Sequence, residues 1–296
     1  MNWWRNLKGK IRLREPLKNH TTFKIGGPAK FFIEPKDTND LKLLLGLIRR
    51  YKLPLFVIGS GSNLLITDKR INGVVLRLNA PYFKELSCRD NYLNIGAGLL
   101  LSKVILFAKE HGLSGVEFLA GIPGTVGGAL AMNAGVAWNK HSIVEVVESV
   151  TVMDYKGKTR ILNKKEIRFS YRRSSLSKYI ILSALIRLKR RNKKQINDKI
   201  KAYLKYRRLT QDLSKPSAGC VFRNPAGDSA GRLIDLCGLK GKRIGDAAVS
   251  LRHANFILNL GKASARDVCR LMDFIRRKVN DRFNVNLTPE IKIWQN

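Results

Sequence analysis

Residues 121–135 hold five glycines and one proline, in the run Ala120-Gly-Ile-Pro-Gly-Thr-Val-Gly-Gly-Ala129 and its continuation Met132-Asn-Ala-Gly135. Each glycine inside a helix or strand costs about 0.5–1 kcal/mol relative to alanine, so a regular element is a poor fit to this stretch. The run reads as a loop set between apolar elements, where a backbone without Cβ atoms admits an anion or a flat ring. A contact between helices through small residues is the rival reading. It does not account for Pro123 and Thr125 together with the glycine loop upstream.

That upstream loop is Val57-Ile-Gly-Ser-Gly-Ser-Asn-Leu-Leu65, directly after an apolar strand expected to be buried. Small residues there let backbone N–H groups close on a pyrophosphate. It departs from the dinucleotide fingerprint, because Leu64 stands at the third glycine, and it lacks the lysine and hydroxyl pair of a P-loop. Taken alone it reads as a tight turn.

Around these loops the periodicity predicts strands at 31–34 and 55–58 flanking a helix over 41–51, then strands at 74–76 and 93–97 and a helix over 100–111. Strands are expected at 143–153 and 180–188, and the polar stretch 189–194 is the best boundary by composition. A helix over 196–210 follows, then strands at 220–223, 255–259 and 290–293, a short helix over 231–236 and a long one over 264–283, with Ser264 and Asp267 at its start. No internal repeat is present.

At 296 residues the chain can bury several cores without a disulfide or metal. Cys88, Cys220, Cys237 and Cys269 form no CxxC pair, and His20, His111, His141 and His253 show no metal-ligand spacing, so reduced thiols in a cytoplasm and no metal site are expected. Apolar runs such as 43–48 and 179–186 are far shorter than the ~20 residues of a membrane span. Trp3, Trp4, Leu7 and Ile11 lie among Arg5, Lys8, Lys10 and Arg12 without the apolar region of a signal peptide, and read as a solvated or loosely docked N-terminal extension.

The formal net charge of +34 poses a choice between a nucleic-acid binder and a basic enzyme of polyanionic ligands, with a general lysine and arginine bias displayed on solvated faces as the plainest explanation. Basic residues crowd between Lys164 and Arg208, but apolar strand-like stretches interrupt them and no helix-turn-helix, zinc finger or aromatic RNA-binding motif surrounds them. No specific nucleic acid is expected.

Three further clusters carry reactive groups: Ser170-Tyr-Arg-Arg-Ser174, Pro216-Ser-Ala-Gly-Cys-Val-Phe-Arg-Asn-Pro225, and Pro289-Glu290-Ile291. Singly, Arg172 is a surface cation, Cys220 a small buried hydrophobe and Glu290 a strand-edge charge. As a set they supply a cation, a proton donor and a carboxyl group.

In this order, with Asn19-His-Thr-Thr-Phe-Lys-Ile-Gly-Gly-Pro28 ahead of them and His253-Ala-Asn-Phe-Ile257 before the end, the motifs resemble the UDP-N-acetylenolpyruvoylglucosamine reductase (UDP-N-acetylmuramate dehydrogenase) family. The resemblance implies an α+β chain: a two-lobed FAD-binding domain of the vanillyl-alcohol-oxidase type followed by a C-terminal α/β substrate-binding domain. Boundaries are expected at 1–15 for a basic arm, 16–72 and 73–190 for the two FAD lobes, and 195–296 for the substrate domain. FAD and NADPH are the implied cofactors and UDP-N-acetylglucosamine enolpyruvate the implied substrate of a cytoplasmic enzyme, expected as a monomer.

By the same resemblance Arg172, Cys220 and Glu290 are catalytic, Cys220 standing where many relatives have a proton-donating serine. Gly59, Ser60, Gly61, Ser62, Asn63, Leu64, Gly121, Ile122, Pro123, Gly124, Thr125, Gly127, Gly128, Asn133 and Ala134 are expected to hold FAD, and Tyr171, Arg223 and Asn224 the substrate. After Arg173 the chain enters the next strand almost at once, as in the shorter class of the family that lacks a tyrosine-bearing insertion. A flavin oxidase of the same superfamily would share the glycine loops without requiring the arginine, cysteine and glutamate.

Overall fold

The computed structural model describes residues 3–136 and 141–295. The first two residues of the expected N-terminal arm and residue 296 of the expected substrate domain lie outside them. In chain order come β1 (Lys10–Pro16), β2 (Pro28–Glu34), α1 (Thr38–Arg50), β3 (Leu55–Ile58), β4 (Leu64–Ile66), β5 (Ile71–Arg77), β6 (Leu86–Arg89), β7 (Tyr92–Gly96), α2 (Leu101–Glu110), β8 (Leu113–Ser114), α3 (Val126–Ala131), β9 (Gly135–Val136) and β10 (His141–Ser142). Then follow β11 (Val147–Met153), β12 (Thr159–Asn163), β13 (Phe169–Ser170), β14 (Arg173–Ser174), β15 (Ile180–Arg187), β16 (Lys189–Arg190) and α4 (Lys193–Thr210). The last are β17 (Ser217–Cys220), α5 (Ala230–Leu236), β18 (Arg243–Ile244), β19 (Ala247–Val249), β20 (Phe256–Asn259), α6 (Ala265–Phe283) and β21 (Lys292–Trp294). No helix among the described residues is long and apolar enough to cross a membrane.

The chain forms two compact units interleaved along the sequence: unit 1 is Met1–Leu13, Phe31–Gly59 and Gly73–Lys205, and unit 2 is Arg14–Lys30, Ser60–Asn72 and Tyr206–Asn296. In unit 1, α1 starts at Asp37, whose carboxylate accepts the N–H groups of Asn39 and Asp40, both at 2.9 Å. It buries Leu41, Leu44, Leu45 and Ile48, the i, i+3, i+4, i+7 stripe of an amphipathic helix. β3 pairs parallel with β5 from Leu55↔Val74 to Ile58↔Arg77, at the edge of a sheet ordered β1-β2-β5-β3. Edge position leaves β3 only partly covered, with Val57 40% exposed, where its apolar run predicts full burial. A five-stranded sheet, β12-β11-β15-β7-β6, completes unit 1.

The N-terminal segment is docked rather than loose. The rings of Trp3 and Trp4 lie 5.1 Å and 5.0 Å from Phe31, and Trp3 lies 5.9 Å from Tyr51. Leu7 is buried, the Lys8 N–H donates to Asp40 at 2.8 Å, and Arg12 pairs with Glu34 at 3.1 Å. Aromatic rings bury far more area than a solvated arm would give up, which is why the segment stays down.

Unit 2 holds a sheet ordered β17-β20-β19-β18 and a separate parallel pair, β4 with β21. Its core gathers Phe23, Leu65, Phe222, Ile257, Leu271 and Ile275. α6 opens with a reciprocal capping box between Ser264 and Asp267 and closes at Asn284 in the left-handed region, φ 53°.

Three expected strands shift. The one expected at 143–153 begins only at Val147, after a helical turn over Ile143–Glu145 capped by Ser142 and Glu145. The one expected at 220–223 is Ser217–Cys220, and the one at 290–293 is Lys292–Trp294.

Candidate active site

The expected residues fall into two groups, one in each unit. In unit 2, Ser60–Asn63 precede β4. Gly61 is in the left-handed region at φ 64°, and a Cβ there would sit 2.1 Å from the His20 carbonyl oxygen, so only glycine fits. Its own carbonyl accepts the Thr22 N–H at 3.3 Å. Among the described residues the N–H groups of Ser60, Gly61 and Ser62 donate to no protein acceptor, and the buried Ser60 Oγ has no hydrogen-bond partner. Three backbone donors and an orphaned hydroxyl around a Cβ-free cradle suit phosphate oxygens.

Asn63 ties this loop to the carboxylate segment. Its Nδ2 donates to the Glu290 carbonyl at 3.2 Å and its carbonyl accepts the Lys292 N–H at 2.9 Å, extending the parallel register Leu64↔Lys292. The Glu290 N–H donates to the Val221 carbonyl at 2.7 Å, and Phe222 bridges to Pro289. Cys220 and Glu290 therefore lie on paired segments, both side chains half-buried. Asn224, expected against substrate, also serves the fold: its Oδ1 accepts the Ala230 N–H at 3.1 Å, at the start of α5. Arg223 donates its N–H to the Thr288 carbonyl at 2.9 Å.

In unit 1 the Gly121–Gly128 loop spends several of its backbone N–H groups on the protein itself. The Val126 N–H goes to the Leu99 carbonyl and the Gly127 N–H to the Ala97 carbonyl, both at 2.9 Å, and the Gly128 N–H goes to Thr125 Oγ1 at 3.3 Å. The first turn of the six-residue α3 is thus satisfied by protein. Gly127 is required for packing, since its Cβ would meet the Ala97 Cβ at 3.1 Å, and Gly59 leaves room for Thr125 Oγ1, 2.5 Å from where its Cβ would be. Gly121, Pro123 and Gly128 remain exposed, Ile122 and Gly124 are half-buried, and the Ala134 N–H closes on the Ala129 carbonyl at 2.8 Å.

Arg172 and Tyr171 form the two-residue turn between β13 and β14. Arg172 is left-handed, φ 55°, a conformation that costs a non-glycine residue about 1–2 kcal/mol and collects at functional sites. Its Nη1 donates to the Gly135 carbonyl at 2.9 Å, and its guanidinium stands 5.4 Å from the exposed Tyr171 ring. The turn is fastened by Asn133, itself left-handed at φ 43°, whose Nδ2 donates to the Ser170 carbonyl at 3.1 Å while its buried Oδ1 has no partner among the described residues.

Two residues of unit 2 escape the sequence reading. Asn255, 2% exposed, holds the segment after Cys220 by side chain and backbone. Its position in an apolar strand, where a buried amide needs a specific partner, was the available signal. Lys292 still reaches solvent, yet desolvation and then the like charge of Arg223 pull its ammonium below the ordinary lysine range. His253, beside Asn255, is held neutral mainly by burial, below its usual 6.5. Its Nδ1 accepts the Asn255 N–H at 3.2 Å, which puts the proton on Nε2.

Residues 29–163 match an FAD binding domain, and residues 211–294 match the C-terminal domain of UDP-N-acetylenolpyruvoylglucosamine reductase. UDP-N-acetylenolpyruvoylglucosamine reductase 2 of Symbiobacterium thermophilum is 44% identical over 97% of this chain and 92% of its own. The reductase of Caldanaerobacter subterraneus subsp. tengcongensis is 42% identical over 97% and 94%. The crystal structure of UDP-N-acetylenolpyruvylglucosamine reductase from Thermus caldophilus superposes with a TM-score of 0.82 at 37% identity, covering 98% of this chain and all of that one. The chain belongs to the UDP-N-acetylenolpyruvoylglucosamine reductase family, FAD-dependent oxidoreductases of peptidoglycan synthesis.

Proposed function

We propose that this chain reduces UDP-N-acetylglucosamine enolpyruvate to UDP-N-acetylmuramate with NADPH, in the cytoplasm and as a monomer, using Arg172, Cys220 and Glu290. The observation that carries this reading is the coupling inside unit 2: the glycine loop, the Cys220 segment and the Glu290 segment are hydrogen-bonded to one another through Asn63, Glu290 and Val221. Three motifs far apart in sequence serve one chemistry if they converge, and a flavin oxidase needs no such convergence.

The Ser60–Ser62 donors and the Ser60 hydroxyl would hold the FAD diphosphate, and Gly121, Pro123, Gly128 and the Asn133 Oδ1 would take the ring side. When bound, FAD would supply the hydride, drawn from NADPH, that adds to the enolpyruvyl methylene carbon. That addition leaves an electron pair on the neighbouring carbon, delocalised into the substrate carboxylate. Arg172 neutralises it, and Glu290 orients the same carboxylate.

Cys220 gives its Sγ proton to that carbon, forming the C–H bond and leaving a thiolate that solvent reprotonates. A thiol is a stronger acid than an alcohol, which suits it to this transfer. Tyr171, Arg223 and Asn224 bind the sugar nucleotide, whose phosphates and carboxylate suit the basic surface.

An anaerobic absorption series tests the reading. The purified protein is expected to show an oxidised flavin spectrum, lose it with NADPH, and regain it on addition of the enolpyruvyl sugar nucleotide. Bleaching with NADPH and recovery only with oxygen would make it an oxidase.

A further inference from the structure

We propose that Asn255 is the positioning residue that fixes the Cys220 thiol relative to Glu290; the inference rests on the reading of Cys220 as proton donor. β17 and β20 pair at Ser217↔Leu258 and Cys220↔Phe256, so two residues on β17 oppose one on β20. This is a bulge, a device that re-aims the following side chain, and Gly219 absorbs it at φ 75°. The ladder ends at Cys220, where the thiol needs its most exact placement.

Asn255 continues the ladder without a strand. Its backbone carbonyl accepts the Val221 N–H at 2.9 Å, its Oδ1 accepts the Phe222 N–H at 2.9 Å, and its Nδ2 donates to the Phe222 carbonyl at 2.7 Å. The side-chain amide thus imitates the peptide group of a neighbouring strand. Along the other edge of the same segment run the bonds from Glu290 N to Val221 O and from Arg223 N to Thr288 O, at 2.7 Å and 2.9 Å. Residues 221–223 are clamped between Asn255 and the Glu290 segment, so the amide sets where the thiol and the carboxyl stand with respect to each other.

The chemistry of the amide is specific. Asp keeps the acceptor for the Phe222 N–H but sets an oxygen against the Phe222 carbonyl, and an aliphatic residue leaves two buried backbone groups unsatisfied. Asn259 provides an internal control. It is equally buried, at the far end of β20, and its side chain binds the Phe23 carbonyl and the N–H groups of Gly261 and Ala263, away from Cys220.

The test compares Asn255→Asp and Asn259→Asp by stopped flow, with and without Cys220→Ala. Displacement of a reacting group by ~1 Å costs about 100-fold, so Asn255→Asp is expected to slow flavin reoxidation by the enolpyruvyl substrate about 30- to 100-fold. Flavin reduction by NADPH should change by less than about threefold, since no proton from Cys220 is used there. In the Cys220→Ala background Asn255→Asp should add less than about threefold, because coupled residues are not additive. Independently of turnover, the iodoacetamide labelling rate of Cys220 should shift in Asn255→Asp and stay at the wild-type value in Asn259→Asp. Equal slowing of both half-reactions, additivity with Cys220→Ala, or the same behaviour in Asn259→Asp would overturn the proposal. If Asn255→Asp does not fold, Asn255→Ser, which serves one Phe222 group at a time, is put through the same comparison. Wild-type reoxidation by Cys220→Ala alone would remove the proton-donor reading, while the labelling rates still decide whether Asn255 places the thiol.

Discussion

Replacing Gly61 by alanine should strip FAD from the protein, and the structure sets the scale. The left-handed φ of 64° costs an L-residue about 1–2 kcal/mol. The new Cβ would lie 2.1 Å from the His20 oxygen and 2.8 Å from the Thr21 Cα, both backbone atoms that cannot swing away. Relief to an ordinary carbon–oxygen contact of about 3.3 Å requires a movement of more than about 1 Å, which breaks the bond from Thr22 N to Gly61 O and with it about 0.5–1.5 kcal/mol. Together these come to roughly 1.5–3.5 kcal/mol against the binding-competent loop, or about 10- to 400-fold in FAD dissociation constant. Gly219 separates conformation from collision: its φ is 75° but nothing lies within 4 Å of its Cβ position. Gly219→Ala should lose stability by the conformational part alone and keep its flavin. The assay is equilibrium release of FAD, followed by recovery of free-flavin fluorescence, beside a melting curve for each variant. Wild-type FAD affinity in Gly61→Ala would refute the loop as the diphosphate seat.

Cys220→Ala should leave NADPH-driven bleaching of the flavin intact and block its recovery with substrate, while Cys220→Ser should retain appreciable turnover; stopped-flow absorbance distinguishes them. Because burial keeps the folded His253 neutral below its usual 6.5, the unfolded chain binds the extra proton first as pH falls, so stability declines below pH 6.5. Melting temperature against pH should fall less steeply in His253→Gln, and an unchanged slope would exclude this histidine as a source. Gly46 lies inside α1 with nothing within 4 Å of its Cβ position, so Gly46→Ala should stabilise by about 0.8–1 kcal/mol, read as a higher midpoint in urea.

Local chemistry made much of this fold legible. The stripe from Leu41 to Ile48 and the Ser264–Asp267 box are written in consecutive residues, and α1 and α6 form where they predict. What escaped depends on partners distant in sequence. β17 stops at Cys220 because Asn255 replaces the next rung, and β21 starts at Lys292 because its register is set by Leu64. Trp3 and Trp4 look solvated only while Phe31 and Tyr51 are not known to face them. The same holds at the site: the glycine loops and the Tyr171-Arg172 pair are visible in sequence, but the αL strain of Arg172 and the protein-satisfied start of α3 are not.

The pairing of β4 with β21 has a consequence for biosynthesis. The loop at Ser60–Asn63 is bound to the strand Lys292–Trp294, so it has no edge partner until the ribosome has added some 230 further residues. At about 5–20 residues per second that interval is on the order of 10–50 s, during which Leu64–Ile66, fully apolar, waits with an open edge. Nascent chains stalled short of β21 should therefore carry unit 1 helices already protected from proteolysis and yet capture no flavin, so that cofactor loading waits for the synthesis of β21.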